Sequence, residues 1–198
     1  IRSVRRPFEE MLAQLVEIPS VSSDPDRKKD IHQTARIALH FLQRLGGKAR
    51  IVKTHGYPAI SGGWQVGTQY PTLTIYNHLD VQPAQELEWR QDPFVFQKDG
   101  NCYRGRGTTD DKGPALTALL AAKYAVDQGL PLNIQFLWEL EEEIGSPNFQ
   151  DVLDQKKIVP RPNSVLVSDT IWISRQQPAI STGLRGLLAL CFTLQTGM

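Results

Sequence analysis

The sequence has few cysteines and no long apolar run, and both absences exclude classes of protein. Cys102 and Cys191 are its two cysteines, and neither belongs to a CxxC pair. Isolated cysteines form no disulfide framework and suit a reducing compartment, so we expect buried thiols in a cytoplasmic protein. No apolar run approaches the roughly 20 residues of a membrane span, and the first residues lack the apolar core of a signal peptide. A soluble protein is therefore expected.

The sequence also lacks an excess of charge of either sign. Lysine and arginine together number 22, against 21 aspartates and glutamates. This balance does not indicate nucleic acid or an anionic membrane as a partner. The length of 198 residues is enough for one domain with a substantial core, or for one domain and part of a second.

Hydrophobic periodicity predicts helices and strands in alternation. Helices are predicted over residues 5–17, 26–45, 112–128 and 147–155. Strands are predicted over residues 50–53, 64–66, 72–76, 133–138, 164–167 and 186–194, and residues 94–97 and 102–104 are predicted to form a hairpin. The runs at 133–138 and 164–167 are continuously apolar, which predicts buried strands. This order predicts an α/β fold of three layers, with a mainly parallel sheet covered by helices on both faces.

Residues 76–111 contain several potential metal ligands. The stretch opens with YNHLDVQPA, which includes His78 and Asp80, and closes on TTDDKG, which includes Asp110 and Asp111. Imidazole and carboxylate groups bind zinc, manganese and cobalt. His78 and Asp80 stand at alternate positions, so Asp80 can hold one ring nitrogen while the other binds a metal. A structural histidine tied to a nearby aspartate explains this pair equally well.

Acidic and imidazole groups also follow three of the predicted strands. His78 and Asp80 come after strand 72–76, the glutamates at 141–143 after strand 133–138, and Asp169 after strand 164–167. Ligands of open α/β sheets gather at the carboxyl ends of the strands. Each group alone is explained as loop charge, and Asp110 with Asp111 as a helix N-cap. Their occurrence together favours a metal site.

Adjacent carboxylates at such a site can have two different roles. One can bind a metal while its neighbour holds a proton for the attacking water. The sequence contains no GxSxG, no phosphate-cradling GxxxxGK[ST] and no cysteine beside a plausible histidine partner. Metal-assisted hydrolysis is therefore favoured. A non-catalytic metal-binding or assembly module remains open, and a magnesium phosphotransferase is a weaker alternative because imidazole suits zinc better.

Taken together, the motifs resemble one family of enzymes across nearly the whole chain. The motifs are YNHLDVQPA, W…DPF…DG…YRGRGTTDDKGP, ELEEEIGS, SVLVSD and AISTGLRG, in that order. They resemble the zinc metallopeptidase family of carnosinases and other dipeptidases, carboxypeptidase G, aminoacylase, acetylornithine deacetylase and succinyl-diaminopimelate desuccinylase. The carnosinase-like dipeptidase branch is the most similar. The resemblance implies a metal-dependent hydrolase that cleaves the amide bond of dipeptides or related small peptides, with an N-acyl amino acid deacylase as the alternative.

The resemblance also implies a role for each candidate residue. The cofactors would be two divalent cations, zinc by expectation, with manganese or cobalt also possible. The implied metal ligands are His78 and Asp169 for one cation, Glu143 for the other, and Asp110 bridging both. Glu142 would be the general base and later the acid, and Asp80 would orient His78. A cis peptide bond is expected between Asp110 and Asp111.

The resemblance is to the N-terminal half of such an enzyme. Residues 1–183 would belong to the catalytic, zinc-exopeptidase-like domain, and residues 184–198 would begin a lid domain that mediates homodimerisation. The family uses a late histidine at the Glu143 site and a lid histidine for the substrate, but no histidine follows His78. The second metal site is therefore expected to be incomplete, and this chain alone inactive or weakly active. Asn77 and Leu140 replace glycines that are usual in the family.

Overall fold

A computed structural model describes residues 2–85, 87, 89–169, 172–174, 176–181, 183, 186, 188 and 190–196. The helices are α1 (Arg2–Val16), α2 (Lys28–Arg44), α3 (Lys112–Asp127) and α4 (Phe149–Asp154), with short 3-10 turns at Pro25–Arg27 and Glu142–Ile144. The strands are β1 (Lys48–Val52), β2 (Ala59–Trp64), β3 (Thr72–His78), β4 (Gln97–Asp99), β5 (Cys102–Arg104), β6 (Asn133–Glu139) and β7 (Ser164–Val167). None of the described helices is both long and apolar enough to cross a membrane.

Five strands form one sheet in the order β1-β2-β6-β3-β7. The pairs β6–β3 and β3–β7 are parallel, whereas β1–β2 and β2–β6 are antiparallel. It follows that β2 alone among these strands runs against the others. Strands β4 and β5 form the separate hairpin that the sequence predicts.

The sheet is covered by helices on both faces because its central strand is apolar on both. In β6, Phe136 and Trp138 belong to the larger core cluster, which packs on α1, α2 and α3. Leu137, between them, points to the opposite face and packs in a smaller cluster with Val152 of α4. The predicted three-layer α/β fold with a mainly parallel sheet is therefore confirmed.

Strand β2 lies earlier in the chain than the predicted strand 64–66. It contains Gly62 and Gly63, which weaken the local signal for a strand. A Cβ added to Gly62 would lie 2.4 Å from the Cβ of Ala49 on the paired strand β1. The glycine is thus needed for the close approach of two strands, a requirement that only the tertiary pairing reveals.

Strand β7 is an edge strand, and the prediction that it is buried was wrong. Among the described residues it pairs with β3 on one side and has no partner on the other. Val165, Leu166 and Val167 are 60%, 44% and 52% exposed. Apolar composition predicts a strand suited to burial, but burial also requires neighbouring elements on both faces.

Two further predictions about the end of the chain and the cysteines differ from the structure. The described residues within 186–194 belong to no strand, and residues 184, 185, 187 and 189 lie outside the described part. An alternating apolar pattern produces a strand only where a partner strand accepts its hydrogen bonds. Cys102 and Cys191 are both exposed, which contradicts the expectation of buried thiols. The predicted domain boundary at 184 stays a prediction.

Candidate metal centre

The carboxyl ends of three neighbouring parallel strands bring polar groups to one edge of the sheet. His78 is the last residue of β3, Asp169 follows β7, and the glutamates at 141–143 follow β6. The Nε2 atom of His78 lies 2.8 Å from Asp110 Oδ1, 3.7 Å from Asp169 Oδ2 and 3.9 Å from Glu142 Oε2. Carboxylates from three separate segments therefore surround the imidazole nitrogen of a fourth.

Asp110 reaches the centre on the turn that precedes α3. The peptide bond between Asp110 and Asp111 is cis, as expected. A Cβ added to Gly113, at the start of α3, would lie only 2.0 Å from the carbonyl oxygen of Thr108. The residue at 113 must therefore be glycine for the turn to fold back on itself and direct Asp110 toward His78.

Asp111 does not serve as a side-chain N-cap, which was one interpretation of the acidic pair. It occupies the N-cap position of α3 but makes no capping hydrogen bond. Its buried Oδ2 instead accepts hydrogen bonds from the backbone N of His78, at 3.2 Å, and from Asn77 Nδ2, at 2.8 Å. Burial raises the pKa of Asp111 to about 8. The side chain thus links the start of α3 to the end of β3.

Asp80 contacts His78 from the side opposite Asp110. The Nδ1 atom of His78 lies 3.0 Å from the backbone oxygen of Asp80 and 3.4 Å from its Oδ1. Because both of these atoms are acceptors, Nδ1 carries the proton. The other nitrogen, Nε2, faces the remaining acids and is the atom that a cation would bind in place of a proton.

The three consecutive glutamates have different environments. Glu141 is buried, and its carboxylate accepts hydrogen bonds from the backbone N of Tyr57 at 2.8 Å and from Asn148 Nδ2 at 3.0 and 3.1 Å. Glu142 and Glu143 instead face His78, and the ligand atoms of these three residues lie within 4.8 Å of one another. Glu141 is therefore structural, and the interpretation of the run as a solvated acidic loop is wrong for this residue.

Two residues near the centre received no role from the sequence. Gln82 Nε2 donates to Glu143 Oε2 at 2.8 Å and so orients that carboxylate. Asn77, noted from the sequence only as a replacement of glycine, is fully buried and donates to Asp111 and to Ser168. The other replacement, Leu140, is accommodated in the larger core cluster. Position within YNHLDVQPA was the only sequence signal for Gln82.

The histidines other than His78 lie elsewhere in the fold. His32 and His40 are on α2, one half-buried and one exposed. The Nδ1 atom of His55 lies 2.7 Å from Asp151 Oδ2 on the surface. Within the described residues, a single imidazole therefore serves the whole centre.

The centre holds more negative charge than its own groups neutralise. Burial alone would lower the pKa of His78, but hydrogen bonds to Asp110 and Asp80 raise it to about 11. Burial, followed by repulsion from neighbouring carboxylates, raises the pKa of Glu142 and of Asp169. One imidazole cannot offset several acids, so a cation would stabilise the arrangement.

The donor atoms fit a divalent cation. One group comprises His78, Asp110 and Asp169, and a second comprises His78, Glu142 and Glu143, with the ligand atoms of each group within 4.8 Å of one another. Imidazole nitrogen combined with carboxylate oxygen suits zinc, manganese or cobalt. His78 is common to both groups, whereas the resemblance implies that Asp110 bridges the metals. The bridging role of Asp110 stays a prediction.

The fold and the donor set together define an α/β protein with a candidate divalent-metal centre at the carboxyl ends of its parallel strands. Residues 74–175 match the model of Peptidase family M20/M25/M40. The chain therefore belongs to this family of metallopeptidases, which confirms the resemblance seen in its motifs.

Curated relatives of the chain include two kinds of dipeptidase. It is 32% identical to the Cys-Gly metallodipeptidase dug1 of Schizosaccharomyces pombe, over 95% of this chain and 43% of that protein. It is 34% identical to the human Beta-Ala-His dipeptidase, over 86% of this chain and 37% of that protein. The chain thus spans less than half the length of these relatives.

Solved structures are similar to most of this chain. Human carnosine dipeptidase 1 matches with a TM-score of 0.78 at 30% identity, over 87% of this chain and 40% of that one. The M20 family metallo-carboxypeptidase Sso-CP2 of Sulfolobus solfataricus matches with a TM-score of 0.76 at 32% identity, over 83% of this chain and 38% of that one. The α/β architecture is shared with both.

Proposed function

We propose that this chain is the N-terminal catalytic part of a metal-dependent peptidase that hydrolyses the amide bond of dipeptides or related small peptides. The observation that carries the proposal is the convergence of His78, Asp110, Asp169, Glu142 and Glu143 at one edge of the sheet. The names of the relatives support a dipeptide substrate, since one is a Cys-Gly and another a Beta-Ala-His dipeptidase.

Each residue has a proposed role in this centre. His78 and Asp169 bind one cation, Glu143 binds a second, and Asp110 bridges the two. Zinc is the proposed metal, and the donor set also accepts manganese or cobalt. The second site has fewer protein ligands than the first within the described residues, so we propose that it holds its cation weakly.

Two acids of the chain have separate roles in amide hydrolysis: Glu142 transfers the proton and Asp80 orients His78. When bound, the divalent cations supply Lewis-acid polarisation of the scissile carbonyl and acidify the attacking water. Glu142 takes one proton from that water and delivers it to the nitrogen of the leaving amine. The raised pKa of Glu142, caused first by burial, suits a group that must both accept and release a proton near neutral pH. Asp80 keeps the His78 ring in the orientation that presents Nε2.

The proposal extends to the setting of the protein. Residues 1–183 form the catalytic part and residues 184–198 begin a lid domain through which the whole protein forms a homodimer. A cytoplasmic location is proposed, because the two exposed cysteines are unpaired and a reducing compartment keeps them so.

A substrate panel with added metal tests the proposal. The chain would be incubated with Cys-Gly, β-Ala-His and N-acetyl amino acids in the presence of Zn²⁺, Mn²⁺ or Co²⁺. We expect tight binding of one cation and slow hydrolysis of dipeptides. The variant Glu142→Gln should retain the cation and lose turnover by about 10²- to 10⁴-fold, whereas Glu17→Gln, at an exposed position on the chain, should match the wild type.

The other outcomes separate the alternatives. Preference for N-acetyl amino acids would favour a deacylase. Cation binding and turnover that are both unchanged in Glu142→Gln would favour a non-catalytic metal-binding module. Turnover at the level of a complete two-metal enzyme would contradict the incomplete second site.

A further inference from the structure

Asn77 lies where three ligand-bearing segments meet. It precedes His78 on β3, and its side chain is fully buried. Its Nδ2 atom lies 2.8 Å from Asp111 Oδ2 and 2.9 Å from the backbone oxygen of Ser168. Both neighbours are acceptors, so the NH₂ end of the amide must face them. The two amide protons of Asn77 are therefore donated to Asp111, which follows Asp110, and to Ser168, which precedes Asp169.

The segment that carries Asp169 is held to the sheet through β3. Strand β7 lies at the edge of the sheet, and among the described residues β3 is its single neighbouring strand. Its four residues are exposed, so packing contributes little to its position. At the site itself, the backbone N of Ser168 donates to Tyr76 O at 3.1 Å, and the Asn77 amide supplies the contact to the Ser168 carbonyl. Loss of Asn77 would leave that carbonyl without its partner at the point where the chain turns to Asp169.

The amide of Asn77 also holds the turn that carries Asp110. Asp111 Oδ2 accepts from Asn77 and from the backbone N of His78, so both bonds tie the Asp110–Asp111 turn to β3. Asp110 and Asp169 approach His78 Nε2 on the two segments that Asn77 joins. Hydrogen bonds of this kind, one step behind the ligands, set the orientation of a metal site.

We propose that Asn77 is a positioning residue, whose side-chain amide joins the Asp111 and Ser168 segments so that Asp110 and Asp169 hold a divalent cation together with His78. This inference rests on the metal centre of the proposed function and adds to it the residue that sets the spacing of the ligands.

The test measures cation binding and requires no substrate. Co²⁺ would be titrated into the wild-type chain and into Asn77→Ala, with its visible absorption as the spectroscopic signature and a chelator competition to obtain Kd. The variant should bind Co²⁺ at least about tenfold more weakly, with a changed spectrum. Hydrogen exchange at residues 164–168 should also become faster than in the wild type. Asn77→Ser, which keeps one donor, should have a Co²⁺ affinity between those of the wild type and Asn77→Ala. It replaces Asn77→Ala in the test if that variant does not fold.

Asn133 provides a matched control at the other end of the sheet. It is also buried, and its Nδ2 donates to the backbone oxygens of Gly67 and Tyr70, both at 2.8 Å. Asn133→Ala should lower the midpoint of thermal unfolding and leave the Kd and spectrum of Co²⁺ unchanged.

Each result decides between the two proposals. The role of Asn77 is overturned, and the metal centre is not, if Asn77→Ala binds Co²⁺ as tightly as the wild type. The same holds if Asn77→Ala and Asn133→Ala weaken Co²⁺ binding equally. Failure of the wild-type chain to bind Co²⁺ overturns the metal centre itself, and the role of Asn77 with it.

Discussion

The carboxylate of Asp80 accepts a hydrogen bond from the backbone N of Glu143, with 3.0 Å between N and Oδ2. Its other oxygen accepts from the backbone N of Glu142 at 3.2 Å. The same residue contacts Nδ1 of His78. Asp80 is fully buried, so a single side chain sets the position of the glutamate loop relative to the imidazole.

Replacement of Asp80 by asparagine should disturb both the loop and the histidine. The amide keeps one acceptor and presents an NH₂ group to the second backbone donor, which leaves a buried N–H unpaired. We expect a loss of about 1–3 kcal/mol in the free energy of unfolding and about 10- to 100-fold weaker cation binding. Denaturant unfolding and Co²⁺ titration would measure the two effects.

The control for this variant is Asp92→Asn, in an exposed turn where Asp92 Oδ1 accepts from the backbone N of Phe94 at 2.8 Å. It should change neither quantity appreciably. Unchanged cation affinity in Asp80→Asn would show that Asp80 does not orient the centre.

Substitutions of Glu141 and Glu143 should have different effects, one on stability and the other on metal binding. Glu141→Gln removes one acceptor from the buried contact with Tyr57 and Asn148, so the free energy of unfolding should fall by about 1–3 kcal/mol with cation binding unchanged. Glu143→Gln should have the opposite profile, with a weaker second cation and little loss of stability. Urea unfolding and metal stoichiometry at millimolar cation would distinguish them, and identical profiles would contradict the assignment.

Added cation should stabilise the fold through His78. A ligand that binds only the native state raises stability by about 2.7 kcal/mol at a concentration of 100 Kd, and relief of carboxylate repulsion is its physical source here. Thermal unfolding with Zn²⁺ and with a chelator would measure the shift. It should disappear in His78→Ala and persist in His55→Ala, which alters the surface pair with Asp151. Persistence of the shift in His78→Ala would place the cation elsewhere.

Gly113→Ala should displace the turn that carries Asp110. The new Cβ would lie 2.0 Å from the carbonyl oxygen of Thr108, a backbone atom that cannot move aside alone. Overpacking of this kind costs about 1–3 kcal/mol, and we expect weaker Co²⁺ binding as well. Gly100→Ala is the comparison, since a Cβ there meets nothing within 4 Å and only the positive φ of +57° opposes it. That variant should lose about 1 kcal/mol and bind Co²⁺ normally.

Stability at low pH should depend on Glu9, which joins α1 to the β4–β5 hairpin. Its carboxylate contacts Lys98 Nζ, Arg5 Nε and Tyr103 Oη. The hydrogen bonds from Lys98, then Arg5, lower the pKa of Glu9 from 4.5 to about 2. Because the pKa is lower in the folded chain, the stabilisation is present above pH 4.5 and is lost as the pH falls through about 2.

The variant Glu9→Gln should therefore be less stable than the wild type at pH 7, and the difference should shrink between pH 4.5 and 2. Urea unfolding across this range would measure it. Glu10→Gln, in an exposed pair with Arg6, should be nearly neutral. A difference for Glu9→Gln that does not vary with pH would argue against an ionic contribution.

Local signals predicted the helices well. The predicted helices at 26–45 and 112–128 correspond to α2 (Lys28–Arg44) and α3 (Lys112–Asp127). Apolar spacing and the residues that begin and end a helix are close in sequence, so the pattern alone indicates them. Strand β2 was misplaced because its glycines weaken that signal, and the close pairing of Gly62 with Ala49 is a tertiary requirement.

The sequence by itself determined the alternation of helices and strands, the family, and the polar groups that follow β3, β6 and β7, because these depend on short-range spacing and on motifs. Only the tertiary structure decided that Glu141 is buried against Tyr57 while Glu142 faces His78, and that Asn77 joins Asp111 to Ser168. It also decided that the apolar strand β7 lies exposed at the edge of the sheet. These features depend on contacts between segments far apart in the chain, which no local pattern encodes.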